Sequence, residues 1–285
     1  MTSNEFPVLR LCKTLAEIFM ELQHFNSDLK IQQNAFAWRY MSFAKISDLL
    51  CNSSMYFSRL DTFHDPIEGL PIKYRSNLQI RHLVKYALSN DEFDEKDSKI
   101  SNVTQEHIDS WQKGTYCSCW YLTEDSSDKN SSDRHHESLA MWNFLDEQDG
   151  FVFKIHLDSL IKLLSTSLVA FQDEQVFAAK YGKVHYLNYQ EYVNMFNTGE
   201  QQLMPSLIKH NSYRFENEIR FLLLRKKPLN ESIDRTGVKI QFKEKFDLDR
   251  HQIEIIAHPR LGEKKYKDYR AKFQDIDSIL RYPVF

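Results

Sequence analysis

Hydrophobic positions recur along the chain at two spacings, and each spacing predicts one kind of element. Residues 11–25 carry apolar side chains at the helical spacing of about 3.6 positions, which predicts a leading amphipathic helix. Shorter segments rich in aromatic and β-branched residues predict strands. The predicted strands are 36–40, 55–58, 115–122, 150–156, 183–189, 215–225, 238–242 and 252–257, and the further predicted helices are 42–50, 138–145, 158–164 and 263–274.

The order of these elements predicts the fold class. Helical segments cluster early and strands predominate later, without regular alternation of the two. This order favours an α+β fold with a mixed or antiparallel sheet over a doubly wound sheet. No internal repeat and no Pro/Gly linker divides the chain, so we expect a single domain over residues 34–285 with residues 1–33 as a helical appendage. The polar tract 123–137 predicts a mobile loop.

Glycine is scarce, and this excludes several nucleotide-binding folds. The chain has 285 residues but only 7 glycines, where average usage gives roughly 20. Loops that cradle phosphate need several glycines close together, because the backbone must approach the anion with positive φ. Neither GxGxxG nor GxxxxGK[ST] occurs in the sequence. Rossmann dinucleotide folds, P-loop NTPases and glycine-loop kinases are therefore excluded.

Charge and cysteine content predict a cytoplasmic protein. The net charge is −3 and the isoelectric point is about 6.4, so no global field attracts nucleic acid or anionic lipid. No apolar run reaches the roughly 18 residues of a membrane span, and the N-terminus lacks the features of a signal peptide. Four cysteines in so long a chain do not indicate a disulfide framework. We expect no membrane partner, and the oligomeric state is left open.

The sharpest candidate for chemistry is the predicted strand that carries Glu216, Glu218 and Arg220. With side chains alternating along a strand, these three residues share one face. Two neighbouring carboxylates push one pKa upward, which suits one of them to hold a hydroxyl and the other to activate a nucleophile. The alternative is a solvated strand end at which Arg220 neutralises Glu218.

Two other strands carry candidate polar residues. Arg39 lies inside an aromatic segment, where a guanidinium is costly without an anion or carboxylate partner. It is either a phosphate ligand or half of a structural ion pair. Cys117 and Cys119 flank Ser118, and the pair is more typical of small core residues than of a zinc site, because no further ligands follow at metal spacing. Ser118 then points the opposite way, available for a hydrogen bond.

A turn and a helix complete the candidates. Asp65 precedes a proline and Glu68 follows three residues later, a spacing that suits either a cation site or a helix cap, and capping is the simpler interpretation. Lysine and arginine side chains on the predicted last helix either contact phosphates or form a solvated face. They are Lys264, Lys265, Lys267, Arg270 and Lys272.

The order of these motifs resembles the bacterial family called domain of unknown function 2971. The motifs are Trp38–Tyr40, Met55–Ser58, Phe63–Glu68, Cys117–Cys119, Met141–Trp142, Gly150–Phe153, Val184–Tyr186 and Tyr213–Arg220. The resemblance covers roughly residues 36–262, and its most specific parts are the Asp-Pro-x-Glu turn and the Glu-x-Glu-x-Arg strand. The chain departs from the family at His64 and at residues 143–145. The name of the family implies no activity, and the resemblance implies a cytoplasmic accessory or defence protein.

The order of an aromatic-strand Arg, a strand Ser and a late Glu-x-Glu is also similar to the signature of ADP-ribosyltransferases. That resemblance implies a split sheet that binds NAD in a cleft, with the ADP-ribose transferred to a protein or nucleic-acid acceptor, or NAD hydrolysed, as in a toxin or antiviral effector. It assigns the NAD phosphates to Arg39, the ribose to Glu218 and deprotonation of the acceptor to Glu216. Ser118 would contact the ribose or position the glutamate. The aromatic residues available to stack on nicotinamide or adenine are Tyr40, Tyr56 and Trp142.

Two alternatives remain beside this transferase hypothesis. One is a non-enzymatic module that binds a nucleotide or protein, in which Arg39, Glu216 and Glu218 form a structural charge network. The other is a metal-dependent hydrolase that uses Asp65, Glu68 and a histidine, and we expect no metal because the ligand spacing is poor.

Overall fold

The computed structural model describes residues 22–25, 30–32, 34–65, 68–69, 111–124, 138–145, 149–169, 171, 176–188, 191, 204–226, 236–272 and 280–281. The strands are β1 (Leu22–His24), β2 (Ala35–Ser42), β3 (Ser54–Arg59), β4 (Thr115–Glu124), β5 (Gly150–His156), β6 (Val176–Lys183), β7 (His185–Leu187), β8 (Ile208–His210), β9 (Glu218–Arg225), β10 (Gly237–Gln241), β11 (Glu254–Ala257) and β12 (Leu280–Arg281). The helices are α1 (Phe43–Asn52), α2 (Leu139–Phe144), α3 (Leu157–Leu168) and α4 (Glu263–Lys272), with 3₁₀ turns at Leu60–Thr62, Pro205–Leu207 and Asn211–Glu216.

A large mixed sheet organises the described part of the chain, which confirms the α+β prediction. Its strands follow the order β1-β6-β9-β4-β2-β5-β11-β12. The outermost pairs β1–β6 and β11–β12 are parallel, and the pairs between them are antiparallel. β7 and β8 form a separate parallel pair beside it.

The sheet forks at β4. One edge of β4 pairs along its length with β9, whereas the other edge pairs with two different strands. Its first half contacts β3 at Cys117, and its second half contacts β2 from Tyr121 onward. β3 pairs on its other edge with β10, antiparallel, so two arms of the sheet diverge from β4. Residues 118–120 of β4 border the gap between the arms.

The two faces of the sheet have different coverings. On one face α1 and α3 bury leucine and isoleucine side chains against β2 and β5, and we call it the α1–α3 face. Its core includes Ile46 and Leu160, both 0% exposed. The opposite face carries two smaller apolar clusters, one around Trp38 and Trp142 and one around Leu222. We call it the α2 face, because α2 supplies Trp142.

Most predicted helices and strands correspond to observed ones. Three predictions need correction, those over 11–25, 183–189 and 215–225. The predicted helix over 11–25 is wrong at its end, because Leu22–His24 form β1 and pair with β6. Residues 183–189 are divided between the end of β6 and β7. The strands β6 and β8 have no predicted counterpart over most of their length. The acidic stretch 91–97, whose composition predicts a solvated loop, and most of the tract 123–137 lie outside the described residues.

The third correction concerns the strand predicted over 215–225. The observed strand β9 begins only at Glu218, and Glu216 ends a 3₁₀ turn. Asn217 lies between them with φ 35°, a left-handed conformation that asparagine tolerates better than most residues. Its side-chain amide donates to the Leu122 carbonyl at 2.6 Å, which fixes the turn against β4. Glu216 therefore reaches its neighbours from a turn.

Candidate functional site

Five charged side chains meet where β8 and β9 approach the turn after β3. We call them the carboxylate cluster: Glu68, Lys209, Glu216, Glu218 and Arg220. Each is less than a tenth exposed, although charged residues are almost never so buried unless paired. The cluster joins the two most specific motifs of the sequence, since Glu68 and Arg220 are 152 residues apart in the chain.

Arg220 is the fully enclosed member of the cluster. Its Nε donates to Glu218 Oε2 at 2.7 Å, and its two terminal nitrogens donate to the Ser206 carbonyl at 2.8 Å and to Glu68. It is 0% exposed, so these acceptors replace the whole hydration of the guanidinium. Glu68 was expected to cap a helix, but it instead forms an ion pair with Arg220.

Lys209 links the three carboxylates. Its ammonium donates to Glu216 and lies 3.7 Å from both Glu68 Oε1 and Glu218 Oε1. The same ammonium stands 5.0 Å from the centre of the Tyr213 ring. Burial acts to lower the pKa of Lys209, but the charges of Glu218 and Glu68 outweigh it and raise this pKa above its ordinary value. Lys209 is therefore a fixed cation.

The two glutamates of the Glu-x-Glu motif have pKa values pushed in opposite directions. Burial and the charge of Glu218 raise the pKa of Glu216 to about 7. For Glu218, burial acts upward, but Arg220 and Lys209 outweigh it and hold its pKa below the ordinary value. A carboxyl that exchanges its proton near neutral pH thus lies beside one that stays ionised. This separation is typical of acid–base pairs.

Aromatic side chains continue the row that begins at Glu218 on the α2 face. Glu218 lies directly opposite Tyr121, and Tyr121 lies directly opposite Trp38. Partners opposite one another in a sheet share a face, so all three project together. Tyr40 follows on the same face, with its ring 6.2 Å from Tyr121 and 4.9 Å from Trp142. Tyr40 and Tyr121 are half-buried, so part of each ring contacts solvent.

Arg39 and Ser118 contact one another at the fork, on the opposite face. The Arg39 guanidinium donates to the Ser118 hydroxyl and, at 3.3 Å, to the Tyr56 carbonyl, and it stands 5.4 Å from the centre of the Trp120 ring. It thereby ties β2 to β3 across the gap between the two arms. No carboxylate contacts Arg39 among the described residues, and burial lowers its pKa.

The strand register separates this pair from the glutamates. Ser118 lies opposite Phe221, whereas Glu218 lies opposite Tyr121, three positions further along β4. An odd separation on a strand places two side chains on opposite faces. Arg39 and Ser118 therefore project toward the α1–α3 face, and the carboxylate cluster toward the α2 face. The structure brings together two members of the expected three-residue cleft and places the third across the sheet.

The remaining candidates lie in other surroundings. Tyr56 contributes its backbone to Arg39, while its hydroxyl lies 3.1 Å from Thr236 at the β3–β10 arm. Asp65 accepts a backbone hydrogen bond from Glu68 at 3.0 Å and so shapes the turn that delivers that glutamate. On α4, Lys265 contacts Asp149 and Lys267 contacts Glu263.

Cys117 and Cys119 lie side by side on the α2 face with their sulfurs 3.5 Å apart. The hydrogen bond from Cys117 and burial hold the pKa of the Cys119 thiol well above its ordinary value, so the thiol is a poor nucleophile. No group of three or more His, Cys, Asp or Glu side chains is arranged to hold a metal in the described part of the chain. His135 and His136, the nearest histidines in sequence after the cysteine pair, lie outside the described residues.

Three residues of the site were not predicted from the sequence: Lys209, Tyr121 and Tyr186. Tyr186 accepts a hydrogen bond from the Glu218 backbone at 2.8 Å. Lys209 is a single charged residue at the end of an apolar segment. Its position there was the only sign in the sequence that it is buried with an oppositely charged partner. Tyr121 belonged to a predicted strand, but its face depends on the register with β9.

No helix among the described residues is long and apolar enough to span a membrane.

Comparison with known proteins finds no family model, no curated protein and no solved structure that matches this chain. The resemblance to domain of unknown function 2971 and to the ADP-ribosyltransferases therefore stays a prediction from motifs.

Proposed function

We propose that the protein cleaves the bond between nicotinamide and ribose in NAD and passes ADP-ribose to a protein or nucleic-acid acceptor, or to water. One observation carries the proposal: Glu216 and Glu218 are neighbouring carboxyls with pKa values pushed apart, and they adjoin a row of aromatic side chains. Glycosidic cleavage needs a carboxylate beside the developing sugar cation and a group that accepts a proton.

The two glutamates divide the chemistry according to their surroundings. Glu218 stays ionised and stabilises positive charge on the ribose as the C1′–N bond breaks and nicotinamide leaves with the bonding electrons. The acceptor oxygen then bonds to C1′, and its proton passes to Glu216, whose pKa of about 7 suits a base at neutral pH. Charge and atoms balance without a metal or redox partner.

The half-buried rings of Tyr40 and Tyr121 supply apolar surface on the same face as Glu218. Stacking by aromatic side chains suits a chain too poor in glycine to form a phosphate loop. The proposal departs from the transferase pattern in one respect. It assigns neither the NAD phosphates to Arg39 nor the ribose to Ser118, because the register directs both side chains to the opposite face.

The test is release of nicotinamide from NAD, with protein, RNA and DNA offered in turn as acceptors. We expect Glu218→Gln to abolish release and Glu216→Gln to lower transfer by about 10²- to 10⁴-fold, the usual contribution of a general base. The control is Glu263→Gln, which removes a fully exposed carboxylate on α4 and should leave turnover unchanged. Absence of turnover by wild type with every acceptor, together with absence of NAD binding by calorimetry, would refute the proposal.

A second candidate is a non-enzymatic module that binds a nucleotide or a protein. The observation in its favour is the enclosure of Arg220, which has acceptors from three chain segments and no exposed surface. In that case the cluster serves to hold the turn after β3 against β9, and the aromatic row is the binding surface. NAD binding without turnover, unchanged in Glu216→Gln but weakened in Tyr121→Ala, would distinguish this candidate from the enzyme.

A further inference from the structure

A concave site lies on the α1–α3 face, away from the carboxylate cluster. It is a cavity of about 260 Å³ between α3 and the segment that leads to β11. The helix contributes side chains one turn apart, and the segment contributes the remainder. The lining residues are Ser159, Lys162, Leu163, Thr166, Glu244, Arg250 and His251.

His251 gives the cavity a directed hydrogen-bond donor. The residue is buried, with only 5% of its surface exposed. Its Nδ1 accepts the backbone N–H of Asp247 at 3.0 Å, which places the ring proton on Nε2. No acceptor for Nε2 exists among the described residues. Burial and the nearby Arg250 lower the pKa of His251, so it enters the site as a neutral N–H donor at neutral pH.

The other polar groups favour an anion. Lys162 is exposed and has no ion-pair partner in the part of the chain that the structure describes, and Ser159 likewise has an uncommitted hydroxyl. Arg250 contacts Glu244 at 3.2 Å, but both side chains are about half exposed, so solvent weakens that pair. Among the charged lining residues, Lys162 and Arg250 are cations and Glu244 is a carboxylate, while Asp247 does not line the cavity but also acts on His251 by its charge. Hydroxyl, imidazole and cationic donors together match the oxygens of a phosphate.

We propose that this cavity binds a phosphate group, as the free anion or as part of a small phosphate ester. Its volume lies just below the range of about 300–1,000 Å³ for sites of drug-sized ligands. Since a water molecule occupies about 30 Å³, the cavity holds a phosphate with a small substituent or free phosphate with a few waters. The site is independent of the proposed NAD chemistry, because it is lined from α3 and lies on the other face of the sheet.

The test follows binding of inorganic phosphate to the full chain by calorimetry and by NMR of the His251 ring. We expect saturable binding that Lys162→Gln weakens about tenfold, the size of one charge-assisted hydrogen bond. The matched control is Lys245→Gln, which removes the same charge from an exposed lysine that does not line the cavity. That variant should change the affinity less than about twofold, because its charge is screened by solvent.

A specific readout separates this site from nonspecific attraction. A phosphate beside the Nε2–H of His251 favours the imidazolium form, so phosphate should raise the pKa of His251. If ribose 5-phosphate binds more tightly than phosphate and ribose alone does not bind, the ligand is a phosphate ester. Equal or weaker binding identifies the free anion. Equal losses in the two lysine variants, an unmoved His251 pKa or the absence of saturable binding would overturn the proposal.

Discussion

Replacing Glu216 by glutamine should make the protein more stable at alkaline pH. Three carboxylates in the cluster face two cations, so the ionised form of Glu216 is the surplus charge. Its folded pKa of about 7 lies above the ordinary value of 4.5. Such a group contributes stability fully below pH 4.5, and that contribution is lost as the pH rises through about 7.

The size of the loss follows from the two pKa values. The interval between 4.5 and about 7 corresponds to about 3 kcal/mol of unfolding free energy. The Glu216 side chain is 10% exposed, and contact with water lowers the expectation to about 2 kcal/mol. Glutamine copies the shape of the protonated carboxyl and still accepts from Lys209. We therefore expect wild type and Glu216→Gln to match near pH 4, below both pKa values, and the variant to exceed wild type by about 2 kcal/mol near pH 8.

Urea unfolding at both pH values measures this difference directly. Contributions from histidines with lowered pKa values, such as His251 and His258, cancel because they are common to both proteins. Glu263→Gln is the control, and its effect should stay within about 0.5 kcal/mol at both pH values. Parallel pH profiles for wild type and Glu216→Gln would show that Glu216 is an ordinary carboxylate, and the proposed base would then lose its physical support.

Three further outcomes are expected from urea unfolding. Glu218→Gln should cost about 3 kcal/mol, because it removes a charged acceptor from the enclosed Arg220, and a cost below about 1 kcal/mol would contradict that pairing. Leu160→Ala should cost about 2–5 kcal/mol by leaving a cavity under α3, whereas Leu139→Ala, which is 65% exposed, should cost less than about 0.5 kcal/mol; similar losses would contradict the packing. Gly237→Ala should cost about 1–3 kcal/mol, because its Cβ overlaps a backbone oxygen of β3, and unchanged stability would show that the β3–β10 arm shifts freely.

Local patterns were sufficient to predict most elements of the sheet. Alternation of apolar residues predicted β2, β5 and β10 to within a few residues. Side chains on one face of a strand recur at every second position, so the pattern is visible in the sequence itself. The prediction was wrong at Glu216, because the alternation of the strand was assumed to extend back through Asn217. A left-handed residue breaks the period of two without changing composition.

Register was the information that the sequence lacked. Arg39, Ser118 and Glu218 all lie on strands that were predicted, in neighbouring positions of the sheet. Which face each side chain occupies depends on pairing between segments about 80 and 100 residues apart, and a slip of one residue reverses it. The partnership of Glu68 with Arg220 was equally hidden, since neither residue's neighbours in sequence indicate the other.

The charge balance of the carboxylate cluster distinguishes Glu216, whose ionised form is costly to bury, from the other four members. Glu68 and Glu218 hydrogen-bond to Arg220, and their two charges already balance those of Arg220 and Lys209, although Lys209 donates its hydrogen bond to Glu216. A third carboxylate adds burial cost without a third cation, and the raised pKa of Glu216 measures that cost. A network that served stability alone gains nothing from a surplus charge, whereas a catalytic base needs one held near neutral pH. Glu216→Gln therefore tests function with the least structural damage: a stabilised variant that retains turnover would refute the assignment, and a stabilised variant without transfer would support it.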